Sequence, residues 1–267
     1  MFSGITEWIN GLANDPAGTL ITLAYVAFCI LFSLILHECA HGWTALKCGD
    51  PTAKMLGRLT LNPAKHLDPL GTICMVILHV GWAKPVPVNP RNFRNYRRDY
   101  ILVSLAGIVT NLLLCIFSLL VSAVLCRLIY KPEILTYVRD KGFQDNLLDI
   151  YHTYIAYAVY DGRFDIIAGN IANGNEWLLY VQRLFLMLAQ MNLGLAIFNL
   201  LPVPPLDGYR FLDMFVFKGK LAMDRSMMNI IQIVFLGICV SGILSNLLGT
   251  VNGAVFGWMC ELASHIV

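Results

Sequence analysis

His37-Glu38-Cys39-Ala40-His41 places two imidazoles four residues apart, with a carboxylate beside the first. On an α-helix, positions i and i+4 share a face, so both rings can bind one divalent ion. Glu38, one residue along, can reach a water on the coordination position left open. There it can act as general base and then pass the proton to a leaving amine. The pattern is a candidate centre for metal-assisted hydrolysis, with one Zn2+ as the ion. Two histidines leave zinc short of its usual three protein ligands, so a carboxylate must come from elsewhere. Asp207 stands out, within NLLPVPPLDG at 199–208. Three prolines break the helix there, and Gly208 permits an unusual backbone geometry. Taken alone, this segment reads as a helix-terminating loop with a solvated Asp. Beside the histidine pair, Asp207 reads as the third ligand.

The elements that must position these groups are membrane elements. Of 267 residues, 57% are hydrophobic and 13% charged, against about 25% charged in soluble domains; the mean hydropathy is +0.65. A membrane helix needs about 20 apolar residues. Four stretches qualify: 19–46, which carries the histidine pair, 100–130, 176–207, whose helical part ends near Leu201, and 228–248. The tail after Gly249 reads as a short further span or an interfacial helix. The run 68–83 is too short for a comfortable span, contains glycines and β-branched residues, and is followed by Pro85, Pro87 and Pro90. It reads as a re-entrant hairpin. The expected fold is an all-α polytopic membrane protein of about four to six transmembrane helices, with a short re-entrant β element between the first and second. The whole chain, 1–267, reads as one membrane-embedded domain without internal repeats.

Charge placement agrees. With 68–83 re-entrant, the segments 47–67, 84–99 and 208–225 share one side and hold 13 of the 19 basic residues. The segment 131–175 falls on the other side as an extracytoplasmic loop. By the positive-inside rule the three basic loops are cytosolic. His41 lies six residues before Lys47, roughly 9 Å of helix, so the site is submerged but near the cytosolic face. An ionised Glu and two His inside a span cost at least a few kcal/mol and face a protein interior or a wet cavity.

The expected location is the cell membrane. A net charge of +2 with no basic block excludes a nucleic-acid footprint. No Lys or Arg precedes the apolar run at Thr19, which predicts no cleavable signal. The eight cysteines form no CxxC and are expected to be small buried hydrophobes.

Several motifs in order resemble the site-2 protease family of intramembrane zinc metalloproteases, in its compact bacterial branch without PDZ or CBS domains. They are HECAH at 37–41, GDPTAKMLGRLTLNPAKHLDPLGT at 49–72, GWAKPVPVNPRNF at 81–93 and NLLPVPPLDG at 199–208, and the resemblance covers roughly 17–125 and 185–215. It implies His37, His41 and Asp207 as zinc ligands and Glu38 as the catalytic base. The family's A-G-P-x-x-N pattern reads Ala106-Gly107-Ile108-Val109-Thr110-Asn111 here, with Ile in place of Pro. Asn111 is then a candidate catalytic donor to the developing oxyanion or to substrate backbone; an interhelical structural amide is the alternative. His66 is a candidate for a supporting or substrate-side role, or a plain loop histidine.

The resemblance implies a transmembrane protein substrate or a remnant signal peptide, often a membrane-held regulator already trimmed by an earlier protease. Such a substrate must unwind locally to expose a carbonyl, and the re-entrant run offers an edge strand for it to pair with. Two other readings fit the same ligands: a catalytically silent relative that binds membrane segments, and a metal-ion transporter. The latter would want polar residues on several helices, whereas the outer halves of these spans are mostly apolar. Four long apolar stretches exclude a soluble zinc protease.

Overall fold

Among the described residues, three helices are long and apolar enough to cross a membrane, and between them they hold every residue of the histidine motif and most of the core. The computed structural model describes residues 10–68, 84–131, 175, 177–221, 224–242, 244 and 248–255. The expected re-entrant run (but for its first residue), nearly all of the 131–175 loop and the end of the tail lie outside the described residues.

Helix α1 spans Pro16–Lys47. Pro16 suits the first turn, where its missing N–H costs nothing, and the Asp15 carboxylate accepts the Gly18 N–H at 3.0 Å. Its 32 residues measure about 48 Å, more than the roughly 30 Å of bilayer hydrocarbon. A single turn, α2 (Thr52–Met55), follows. Helix α3 spans Tyr96–Ile129. Its N-cap Asn95 accepts the Arg98 N–H at 3.2 Å, and the Asn95 N–H donates to Asp99 at 2.8 Å. The helix runs unbroken through Ile108, the position where the family pattern has proline.

Helix α4 spans Trp177–Leu200. It stops two residues before Pro202 because proline cannot continue the ladder and disfavours helix in the residue before it. The expected third stretch, 176–207, is therefore a helix and a separate turn. Helix α5 (Asp207–Phe215) starts a new direction with Asp207 as its first residue. A Cβ on Gly208 would strike the Leu200 carbonyl oxygen and lie 2.7 Å from that of Leu201. Only glycine lets α5 start so close to the end of α4. Helix α6 spans Arg225–Ser241 and ends at Gly242, whose φ of +81° is the left-handed cap that glycine favours. The expected fourth stretch to 248 is thus interrupted at 242, and 248–255 is again helical. Among the described residues there is no β-strand.

The core lies mainly between α3 and α4, where Cys115, Leu119, Cys126 and Ile129 pack on Leu179, Leu186, Ala189 and Leu193. On the other side of α4, Met187 and Leu188 meet Cys29 of α1. Polar contacts add register: the Asn192 amide donates to the Ser33 hydroxyl at 2.8 Å, and Arg183 donates to the Thr22 hydroxyl at 2.8 Å with its guanidinium over the Tyr25 ring. Outward positions such as Leu23, Phe28, Leu113, Phe117 and Val124 are exposed apolar side chains, as a lipid-facing surface requires. Among the described residues, Cys29, Cys48, Cys115 and Cys126 are buried as expected, and Cys39 and Cys239 are half-buried.

Candidate metal centre

The proline-rich turn after α4 returns the chain so that the first residue of α5 meets the histidines of α1. His37 Nε2 lies 3.1 Å from Asp207 Oδ2, His41 Nε2 lies 3.0 Å from the same oxygen, and the two Nε2 atoms are 3.1 Å apart. All three residues are buried, between 5% and 7% exposed. Among the described residues they form the one cluster of metal-ligating type with three members. The donor set suits zinc: two imidazoles and one carboxylate, with a fourth position for water or substrate. Tetrahedral donors about 2.0–2.1 Å from an ion lie about 3.3 Å from one another, so the triangle needs to open only slightly to hold one.

The residues around the triangle fix its orientation. His41 Nδ1 donates to the Val103 carbonyl of α3 at 2.7 Å, which leaves Nε2 as the lone-pair atom pointed at the centre. The His37 ring lies flat on Gly107 of α3: a Cβ there would sit 2.5 Å from Nε2 and 2.6 Å from Nδ1. Gly107→Ala is therefore expected to push the ring out of the triangle and to lower zinc occupancy of the purified protein severalfold. Unchanged occupancy would show that the ring has room to move. Asp207 gives Oδ2 to the histidines, while its Oδ1 faces Arg210 Nη1 at 3.7 Å. A carboxylate at a helix N-terminus is also favoured by the helix dipole.

Glu38 is half-buried beside this triangle, and its Oε2 accepts the Val86 N–H at 2.8 Å. Asn111 lies one turn beyond Gly107 on the same face of α3, fully buried, and neither amide atom has a partner among the described residues. The structure does not place it within the triangle. His66 is buried to 1% exposure and hydrogen-bonds the Thr60 carbonyl through Nε2 at 2.7 Å. It packs beside Cys39, on a different side of α1 from His37 and His41, so it is no surface histidine. Sequence reasoning did not assign roles to Val103, Gly107 or Val86. Gly107 and Val86 lie within the motifs at 106–111 and 81–93, but a backbone carbonyl and a backbone N–H leave no signature in side-chain types.

Comparison with known proteins agrees with this geometry. Residues 25–242 match the model of peptidase family M50. "Putative zinc metalloprotease YwhC" of Bacillus subtilis is 38% identical over 200 residues, covering 75% of this chain and 73% of that one. Proteins named Rip2 are more distant. The Mycolicibacterium smegmatis one is 32% identical over 126 residues, 43% of this chain and 48% of its own. The Mycobacterium tuberculosis one is 27% identical over 216 residues, 79% of this chain and 64% of its own. No solved structure matches the chain at a significant level. The chain belongs to peptidase family M50, the site-2 protease family of membrane zinc metallopeptidases.

Proposed function

We propose that this chain is an intramembrane endopeptidase that holds one zinc ion on His37, His41 and Asp207, uses Glu38 as catalytic base, and cuts peptide bonds of transmembrane segments. The observation that carries the reading is the convergence of three buried donors from α1 and α5 to within 3.1 Å of one another, on a helix long and apolar enough to cross a bilayer.

Zinc in such a donor set supplies Lewis acidity, polarising a carbonyl and making water a better acid. The protein's own part is orientation and proton transfer. His41, tied to Val103, keeps its Nε2 lone pair on the centre. Asp207 contributes negative charge at the start of α5. Glu38, with one oxygen held by the Val86 N–H, takes a proton from the attacking water on its other oxygen and delivers it to the leaving amine. The buried amide of Asn111 on α3, uncommitted among the described residues, supports its reading as a donor to substrate backbone or to the developing oxyanion.

The substrate is a single-span membrane protein or a remnant signal peptide, unwound where it is cut because an intact helix hides its carbonyls. The basic loops at 47–67, 84–99 and 208–225 support a cytosolic opening of the site in the cell membrane. The test is cleavage of a single-span substrate in proteoliposomes, with the products mapped by mass spectrometry. Cuts within or at the edge of the apolar segment are expected. Cuts confined to soluble flanks, with the segment left whole, would contradict the reading.

A further inference from the structure

Segment 84–92 lies across the base, and between Lys84 and Asn89 no bond of its own backbone holds it there. It reads KPVPVNPRN, and three prolines remove a third of its amide donors. Apart from the Asn92 N–H to the Asn89 carbonyl at 3.1 Å and the Arg91 N–H to Asn89 Oδ1 at 3.2 Å, which close the turn at Pro90–Asn92, the bonds that fix it come from elsewhere. At one end the Lys84 N–H donates to the His66 carbonyl at 2.8 Å, and Arg58 donates to the Lys84 and Pro85 carbonyls at 2.8 and 3.2 Å. In the middle the Val86 N–H meets Glu38, and the Val86 side chain fits the notch at Gly42, where an added Cβ would come 3.0 Å from its Cγ1. Gly42 is one turn after Glu38 on α1.

At the other end stands Asp50, five residues past the point where the Ala45 carbonyl accepts its N–H at 2.9 Å. The Asp50 side chain is fully buried. Its Oδ2 accepts the Asn89 N–H at 2.7 Å, and its Oδ1 accepts the Asn92 amide at 2.8 Å. The Thr52 N–H at 3.1 Å and the Thr52 hydroxyl complete its shell. Burial pushes this carboxyl up, but the bonds from Thr52, Asn89 and Asn92 outweigh it and hold the group below the usual carboxylate range. Gly49, at φ +109°, lets the Asn92 carbonyl approach to a distance at which a Cβ would lie 3.0 Å away, and the Arg94 N–H donates to the Cys48 carbonyl at 3.0 Å. Two of the four donors to Asp50 thus lie on the segment that touches Glu38, and the other two belong to the turn that leaves α1.

We propose that Asp50 is a positioning residue for the Glu38 carboxylate: by fixing Asn89 and Asn92 to the end of α1, it sets the register in which the Val86 N–H holds Glu38 Oε2. The proposal rests on the reading of Glu38 as the base. It assigns to the buried aspartate of the GDPT motif an effect on turnover and not on zinc binding, since Asp50 has no contact with the three metal-binding side chains.

The experiment uses the full-length protein in proteoliposomes with a single-span substrate. Asp50→Asn keeps the shape but turns an amide toward at least one donor, and Asn92→Ala removes one arm more gently. Val86→Pro removes the N–H at Glu38 directly, in a stretch already flanked by prolines. Asp50→Asn and Val86→Pro are each expected to lower kcat by about 10- to 100-fold, in keeping with displacement of a catalytic group by about 1 Å, with KM within about twofold and zinc content unchanged. Their double variant should lose little more than either alone, because both act through one contact. Asn92→Ala should lower kcat by a smaller factor. Amide exchange over 84–92, read by mass spectrometry, should quicken in Asp50→Asn, in Asn92→Ala and in Glu38→Ala, while α1 stays protected.

Wild-type kcat in Asn92→Ala and Asp50→Asn, alongside an inactive Glu38→Gln, would overturn the role of Asp50 and leave the base reading standing. Loss of zinc or full additivity with Val86→Pro would likewise overturn it, marking Asp50 as purely structural. Should Asp50→Asn fail to fold, Asn92→Ala and its exchange rate still decide. An active Glu38→Gln would instead remove the base reading itself.

Discussion

Glu38→Gln protein is expected to keep its zinc and lose its turnover, by about 10^3-fold, the middle of the range for a removed general acid–base group. Such a fall corresponds to about 4 kcal/mol of transition-state stabilisation. The substitution is nearly isosteric, and a glutamine side-chain oxygen can still accept the Val86 N–H, so the segment 84–92 stays in place. What disappears is the ability to take a proton from water and give it up again. Zinc stays because Glu38 is outside the triangle of Nε2, Nε2 and Oδ2 atoms. The measurement is the initial rate on a single-span substrate in proteoliposomes, with metal content determined on the same sample. Cleavage at the wild-type rate would remove Glu38 from its role; loss of zinc together with turnover would mean that the carboxylate belongs to the metal site.

Asp207→Ala protein is expected to behave in the opposite way, losing the metal first. Its carboxylate is the one anionic group in the triangle and the one member from outside α1. Without it two neutral imidazoles remain, from one turn of helix. Changing a group that merely supports a ligand costs 10- to 100-fold in metal affinity, so deleting the ligand should cost more than about 100-fold, or about 2.7 kcal/mol. Zinc per chain after dialysis should fall from near one to a small fraction, and cleavage with it. Turnover restored by millimolar added zinc would agree with a weakened site, whereas full zinc retention in buffer would contradict the assignment.

The histidine pair was readable from sequence because its logic is local: four residues of helix suffice to bring both rings to one face, and α1 extends well past them on both sides. The limits of α1 and α3 were nearly readable too, since hydropathy changes at Lys47 and at Tyr100; α3 starts one turn earlier, at Tyr96, because the Asn95 side chain caps it there. The third stretch was harder. Prolines at 202, 204 and 205 announced a break, but a break does not say where the chain goes next. That Asp207 returns to α1 depends on Gly208 fitting against the end of α4, a contact between elements that no periodicity encodes. The interruption at Gly242 was missed because an apolar run on both sides masked a glycine cap. Asn111 stayed ambiguous in the sequence, as a buried amide serves packing and chemistry equally well. In the structure it lacks a partner among the described residues while standing outside the triangle, so its part in the reaction rests on the proposed function. The hold of Val103 on His41 and of Val86 on Glu38 was not readable at all, because backbone groups are the same in every residue.

The proposed chemistry requires α1 and α5 to grip one ion jointly. X-ray absorption at the zinc edge of the purified wild-type protein tests that directly. The expected result is one zinc per chain with two imidazole nitrogens at about 2.0–2.1 Å and carboxylate or water oxygen at about 2.0–2.2 Å, and no sulfur. A zinc shell containing thiolate sulfur at about 2.3 Å, or one without paired imidazoles, would contradict it.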